Sequence, residues 1–227
     1  MTIISLDFSI LFPGVCICRD FKEYKWLAIV NTKTTKKDEK NFEDLTSQYS
    51  SINIHKTVTR REKSTHYHLT ERNKLVNYLE ATDLLIEKLV ELLDYEDDFI
   101  VCIEGISFGS KGNALVDISQ ATGIIKNKLV DRILDGDASR FFVFSPGELK
   151  NAIGCKGNAG KLDVYNKFIE DPVLDSVKKS ELYKAITTED WISNGKNIKS
   201  PIMDMIDAYL GVTKIHQILS TENNHYE

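Results

Sequence analysis

The stretch that most constrains the fold of this chain is residues 99–105, FIVCIEG, in which five apolar residues are followed by Glu104 and a glycine. An unbroken apolar run of this length, with acidic residues before it and glycine after it, is typical of a strand buried on both faces of a sheet. Moving a carboxylate out of water is costly, so an acid at the end of a core strand is usually hydrogen-bonded, paired with a cation or bound to a metal ion. Glu104 is therefore the first candidate functional residue.

The order of the other apolar segments predicts the sheet around this strand. Residues 2–8 form a second apolar run that contains Asp7, and two further runs, 15–21 and 24–32, follow a Pro-Gly turn. They predict an antiparallel meander of three strands. Further helical or apolar segments lie at 70–93, 114–134, 141–144, 147–171 (two helices around a glycine-rich turn), 178–191 and after Pro201. This order predicts an α/β fold with a mixed five-stranded sheet, three antiparallel strands and then two parallel ones, flanked by helices, as in the RNase H-like fold.

The length of 227 residues suits one large core, and we expect a single domain over residues 1–227. The apolar pattern weakens at about 33–70, which predicts a polar insertion there with one candidate strand at 51–58. Basic residues outnumber acidic residues in the insertion by 8 to 5, and a solvated loop explains this excess as well as a binding surface does.

The composition excludes some classes of function. No apolar run reaches the roughly 18 residues of a membrane helix, and no basic leader precedes the first strand, so we expect a cytoplasmic protein without membrane contact. The 4 cysteines lack the paired spacing of a zinc site, which favours reduced thiols. The formal net charge of −5 gives no overall attraction to nucleic acid, so a polyanion would have to be bound by a local patch.

Four acidic residues form the candidate metal site. Asp7 and Glu104 end central strands, and open α/β sheets place their sites at such strand ends. Asp204 and Asp207 are three residues apart on the last predicted helix, so they are neighbours on one face and repel each other. Taken singly, each acid has a simpler structural explanation, such as the helix dipole for Asp204. Taken together, the four carboxylates are the oxygen ligands that a hard divalent cation prefers.

The segments that carry these acids resemble, in the same order along the chain, the motifs of the RuvC-like Holliday junction resolvases: IISLDFS, CIEGISFGSKGNALVDISQATG, FSPGELKNAIGCKGNAGK and SPIMDMIDAYLG. The resemblance implies that Asp7, Glu104, Asp204 and Asp207 bind two Mg²⁺ ions per active site, for which Mn²⁺ can substitute. It further implies symmetric cutting of DNA strands at four-way junctions by two-metal hydrolysis. A homodimer formed through the helix that follows Glu104 is also implied.

The resemblance also predicts residues that approach the DNA. Family members have basic residues near the scissile phosphates, and Lys150 and Lys161 hold the matching positions, Lys161 among the catalytic residues. A lysine at such a place stabilises charge that develops on a phosphate. Solvated lysines at helix ends are the alternative explanation. Further candidates for DNA binding are Lys156, Arg60, Arg61 and, as a residue that stacks on bases, Phe108.

These observations lead to one main hypothesis and two alternatives. The main hypothesis is a Mg²⁺-dependent endonuclease of DNA recombination and repair that resolves four-way junctions and other branched DNA. The first alternative is an RNase H-like nuclease that acts on hybrids, flaps or forks. The second is a non-catalytic junction-binding protein, against which the complete set of acids argues, because four negative charges would repel phosphates.

Overall fold

The computed structural model describes residues 1–10, 13–30, 36–57, 65–94, 98–106, 112–188, 191–193 and 197–223. The strands of its main sheet are β1 (Thr2–Asp7), β2 (Gly14–Arg19), β3 (Glu23–Val30), β4 (Ile52–Lys56), β5 (Phe99–Glu104) and β6 (Phe141–Phe144). The α-helices are α1 (Lys36–Gln48), α2 (Tyr67–Leu92), α3 (Asn113–Ile133), α4 (Pro146–Ala152), α5 (Lys161–Glu170), α6 (Glu181–Thr188) and α7 (Ile202–Asn223). A separate two-stranded sheet pairs Ile192–Ser193 with Asn197–Ile198.

The main sheet has the strand order β4-β3-β2-β1-β5-β6. Strand β2 runs antiparallel to β1 and β3, whereas β5 runs parallel to β1, and β6 parallel to β5. This is the predicted succession of three antiparallel strands and two parallel ones, so the prediction of an α/β, RNase H-like fold is confirmed. Within the described ranges, every helix is too short or too polar to cross a membrane.

The prediction of five strands is wrong, because β4 joins β3 as a sixth, parallel strand at the edge of the sheet. The segment predicted as a polar insertion thus contributes a strand and helix α1 to the fold. Its apolar signal is weak since an edge strand and a surface helix bury little: Leu45 on α1 and Ile52 on β4 are their buried apolar residues. Arg60 and Arg61, the basic candidates of this segment, lie outside the described residues.

Alternate side chains of the central strands enter two apolar cores, one on each face of the sheet. On β1, Ile3 packs in the core that contains α7, while Ile4 and Leu6 pack in the core that contains α2 and α3. On β5, Cys102 faces the first core and Val101 the second. The two central strands are therefore buried on both faces, as the unbroken apolar run predicted. All 4 cysteines are free thiols.

Helix α7 lies directly on the sheet, in contact with β1 and β2. Two glycines permit the close approach. A Cβ atom on Gly211 would lie 2.1 Å from the Ser5 Oγ, and a Cβ atom on Gly14 would lie 2.2 Å from the carbonyl oxygen of Asp204. The first turn of α7 is thereby held at the edge of the sheet where β1 and β5 end.

Candidate active site

An open pocket of about 310 Å³ lies at the carboxyl ends of β1 and β5. The four acids and two of the lysines that the sequence singled out line it together: Asp7, Glu104, Asp204, Asp207, Lys150 and Lys161. Residues from four separate parts of the chain therefore meet at one place, which periodicity and spacing alone could not establish.

The two strand acids meet because their strands are parallel neighbours in register. Leu6 of β1 is paired with Ile103 of β5, so the residues that follow, Asp7 and Glu104, emerge side by side at the same edge. The end of β5 is held in place by a hydrogen bond in which the Gly105 amide donates to the Phe144 carbonyl oxygen of β6 at 2.7 Å.

The two helix acids enter the pocket from the first two turns of α7. Asp204 is only 5% exposed. Its Oδ2 atom is fully buried, and none of the described residues provides it with a hydrogen-bond partner. A buried carboxylate oxygen left in this condition is costly, and a bound cation is one group that would satisfy it. Asp207 lies one turn further along, with its side chain 16% exposed.

Burial and mutual repulsion make this cluster of acids hard to ionise. Burial raises the pKa of Asp7 well above its ordinary value, and repulsion by the other three acids raises it further. Burial likewise raises the pKa of Asp207 to about 7, against the opposing attraction of Lys161. The pKa values of Glu104 and Asp204 are also raised by burial. Negative charge here is destabilising unless a cation neutralises it.

The three candidate lysines have different environments in the structure. Lys161 is the first residue of α5, and its Nζ atom lies 3.7 Å from the Asp207 Oδ2 and 4.0 Å from the Asp204 Oδ1. Lys150 lines the pocket from α4, but its Nζ atom donates a hydrogen bond to the Ala159 carbonyl oxygen at 2.7 Å. Lys156 is exposed and is not among the residues that line the pocket. Phe108 lies outside the described residues.

The pocket also contains residues that the sequence did not single out. Ile118 and Thr122 line it from α3, and Ser9 and Ile106 line it from the segments that follow β1 and β5. Ile118 and Thr122 are one helical turn apart, so they share a face, but this spacing does not distinguish them from the other residues of an amphipathic helix. Their place in the pocket follows only from the packing of α3.

The donor atoms suit a hard divalent cation, since all four are carboxylates and one buried oxygen is unsatisfied. As placed, however, no group of three or more His, Cys, Asp or Glu side chains in the described ranges has the spacing of a metal site. Closing the acids around an ion would therefore require rotation of their side chains, which staggered rotamers permit. Among the described residues, the Lys161 ammonium group is the cation nearest to Asp204 and Asp207.

Of the three comparisons with known proteins, the one with solved structures gives matches. No protein-family model and no curated protein matches the chain. Solved structures do match, among them Thermus thermophilus RuvC and the same organism's RuvC in complex with a Holliday junction substrate. The chain is similar to RuvC. Each match covers 96% of both chains at 13% identity, with TM-scores of 0.46 and 0.47.

The similarity agrees with the resemblance inferred from the motifs. At this identity and TM-score it adds no argument about function, and the fold is assigned from the strand order and register of the chain itself. The functions of the residues around the pocket remain predictions that rest on their chemistry and on the geometry described above.

Asp207→Asn is expected to stabilise the metal-free protein at pH 8. Because the folded-state pKa of Asp207 is about 7, above that of an unfolded chain, its ionisation opposes folding as the pH rises from about 4 to 7. The amide cannot ionise, so the free energy of unfolding should rise by on the order of 2–4 kcal/mol at pH 8 and by less at pH 5. Urea unfolding in EDTA at both pH values measures this free energy.

The matched control is Glu170→Gln, which neutralises an exposed acid at the end of α5 and should change the unfolding free energy by no more than about 0.5 kcal/mol. A metal-free Asp207→Asn protein that is less stable than the unsubstituted one at pH 8 would contradict the view that the acid cluster is destabilising.

Proposed function

We propose that this protein is a Mg²⁺-dependent endonuclease that cuts branched DNA, chiefly four-way junctions. The observation that carries the proposal is the convergence of four buried or half-buried carboxylates and two lysines in one open pocket at the ends of two parallel strands. This combination suits phosphodiester hydrolysis, because the acids can hold cations while an exposed lysine, Lys161, can approach a phosphate.

The acids that would hold the ions are Asp7, Glu104, Asp204 and Asp207. When bound, Mg²⁺ supplies a water made nucleophilic at neutral pH and stabilises the leaving oxygen. The chain's own part is to fix these ligands on two core strands and a core helix, which limits their movement. Lys161 is exposed enough to reach a phosphate oxygen and to stabilise its developing charge.

The role proposed for Lys150 differs from the one suggested by the motif. Its Nζ atom donates to the carbonyl oxygen of Ala159, two residues before Lys161. This hydrogen bond ties α4 to the glycine-rich turn that precedes α5. Lys150 therefore helps to position the turn that presents Lys161, while its charge also lowers the pKa of Glu104 against the stronger effect of burial.

A junction substrate and a homodimer complete the proposal. One of the similar RuvC structures is a complex with a Holliday junction substrate, and we propose the same class of substrate for this chain. A second copy has an apolar surface to pack on: Leu75, Leu79 and Val116 of helices α2 and α3 are exposed. Two active sites in one dimer would cut two strands of the junction.

A cleavage assay on an immobile four-way junction, with a fork, a flap and an RNA–DNA hybrid as comparison substrates, tests the proposal. We expect Mg²⁺-dependent paired nicks at symmetric positions, formed at least about tenfold faster than cuts in the other substrates, a difference of about 1.4 kcal/mol in transition-state binding. Equal rates on all substrates would favour the general nuclease instead. Single, unpaired nicks would contradict the dimer, and binding without any cleavage would favour a junction-binding protein.

A further inference from the structure

The contact between Lys161 and the helix acids is unusual for a residue expected to act on a phosphate. Its Nζ atom lies within 4.0 Å of carboxylate oxygens of both Asp204 and Asp207. The lysine side chain is 62% exposed, whereas the side chains of the two acids are 8% and 16% exposed. The Lys161 ammonium group therefore lies beside two largely buried carboxylates, a position that suits a metal ion, whereas a phosphate would be repelled there.

The geometry also indicates that this contact is easily broken. Both distances exceed the roughly 2.7–3.2 Å of a hydrogen bond from nitrogen to oxygen, so the attraction is mainly between separated charges. Lys161 begins α5 directly after Gly160, and its side chain is largely exposed to solvent. Lys150 differs, because its Nζ atom is held by a 2.7 Å hydrogen bond to Ala159.

We propose that Lys161 is the counter-ion of the acid cluster in the metal-free protein, and that a divalent cation displaces it from Asp204 and Asp207. A divalent cation bound to these carboxylates would neutralise their charge and repel the ammonium group, so the attraction that holds Lys161 there would be lost. Metal binding would therefore free the ammonium group, which could then turn to a phosphate. The inference rests on the proposed function, since it requires that the acid cluster binds a divalent cation. It adds an order of binding, in which the metal ion binds before Lys161 contacts the phosphate.

Calorimetric titration of Mn²⁺ into the chain of residues 1–227, without DNA, tests this inference. Lys161→Met keeps much of the stem but removes the competing charge, so it is expected to bind Mn²⁺ about three- to tenfold more tightly than the unsubstituted protein. Lys161→Arg keeps the charge and should bind no more tightly. Lys156→Met removes an exposed lysine outside the pocket and should change the affinity by less than about twofold.

Thermal unfolding gives an independent measure. In EDTA, Lys161→Met is expected to have a lower Tm than the unsubstituted protein because the acids lose their counter-ion, and saturating Mg²⁺ should abolish the difference. Lys156→Met should show neither effect. A Lys161→Met protein that binds Mn²⁺ no more tightly than the unsubstituted one would overturn the inference, as would an equal gain in Lys156→Met. If neither the unsubstituted protein nor any variant binds Mn²⁺, the metal site and the proposed function are contradicted together with this inference.

Discussion

Asp7→Asn and Glu104→Gln are each expected to lower the Mg²⁺-dependent cleavage rate of a four-way junction by at least about 10²-fold, while junction affinity stays within a few-fold. Each substitution keeps the shape of the side chain but replaces a carboxylate ligand with a neutral amide. Both residues lie at the ends of parallel core strands, so the fold should tolerate the change. Single-turnover cleavage and a binding assay in Ca²⁺ or EDTA measure the two quantities separately.

A control for these variants is Asp131→Asn, which changes an exposed acid on α3. It should cleave at the rate of the unsubstituted protein. Undiminished cleavage by a folded Asp7→Asn or Glu104→Gln protein would show that the pocket is not the site of hydrolysis. Loss of junction binding in parallel with cleavage would assign the two acids to the architecture of the DNA-binding surface instead.

Gly14→Ala is expected to destabilise the protein by about 3 kcal/mol or more and to reduce metal binding. The added Cβ atom would lie 2.2 Å from the carbonyl oxygen of Asp204 and 2.8 Å from the backbone nitrogen of Met205. These are backbone atoms of the first turn of α7, so relief requires movement of the helix end that carries Asp204 and Asp207. Denaturant unfolding and Mn²⁺ titration measure the two effects.

Gly147→Ala is the matched control for this substitution. Gly147 lies in α4, where an added Cβ atom would approach another atom no closer than 3.9 Å, an ordinary van der Waals contact. Its stability should be unchanged or higher by up to about 1 kcal/mol, since alanine is the better helix former. A Gly14→Ala protein with the stability and Mn²⁺ affinity of the unsubstituted protein would show that α7 can withdraw from the sheet at little cost.

Much of the fold was predictable because its central elements have strong local signals. Strands buried on both faces appear as unbroken apolar runs, so β1 and β5 were evident, and the sequence order of strands and helices limited the sheet to few arrangements. Strand β4 was harder to predict, since Ile52 is its only residue that the structure buries fully, and a weak candidate strand does not reveal its partner. Its parallel pairing with β3 depends on tertiary contacts.

The candidate site was likewise predictable only in part. The strand ends at Asp7 and Glu104 and the shared helix face of Asp204 and Asp207 were predictable, because strand and helix periods are local properties of the chain. Three features depend on tertiary packing: the acids meet in one pocket, Lys150 is bound to Ala159, and Lys161 lies against the helix acids. The acids converge because β1 and β5 are parallel and in register and because α7 packs closely on the sheet. This packing brings together Asp7 and Asp207, which are 200 positions apart, and no local pattern in the sequence encodes it.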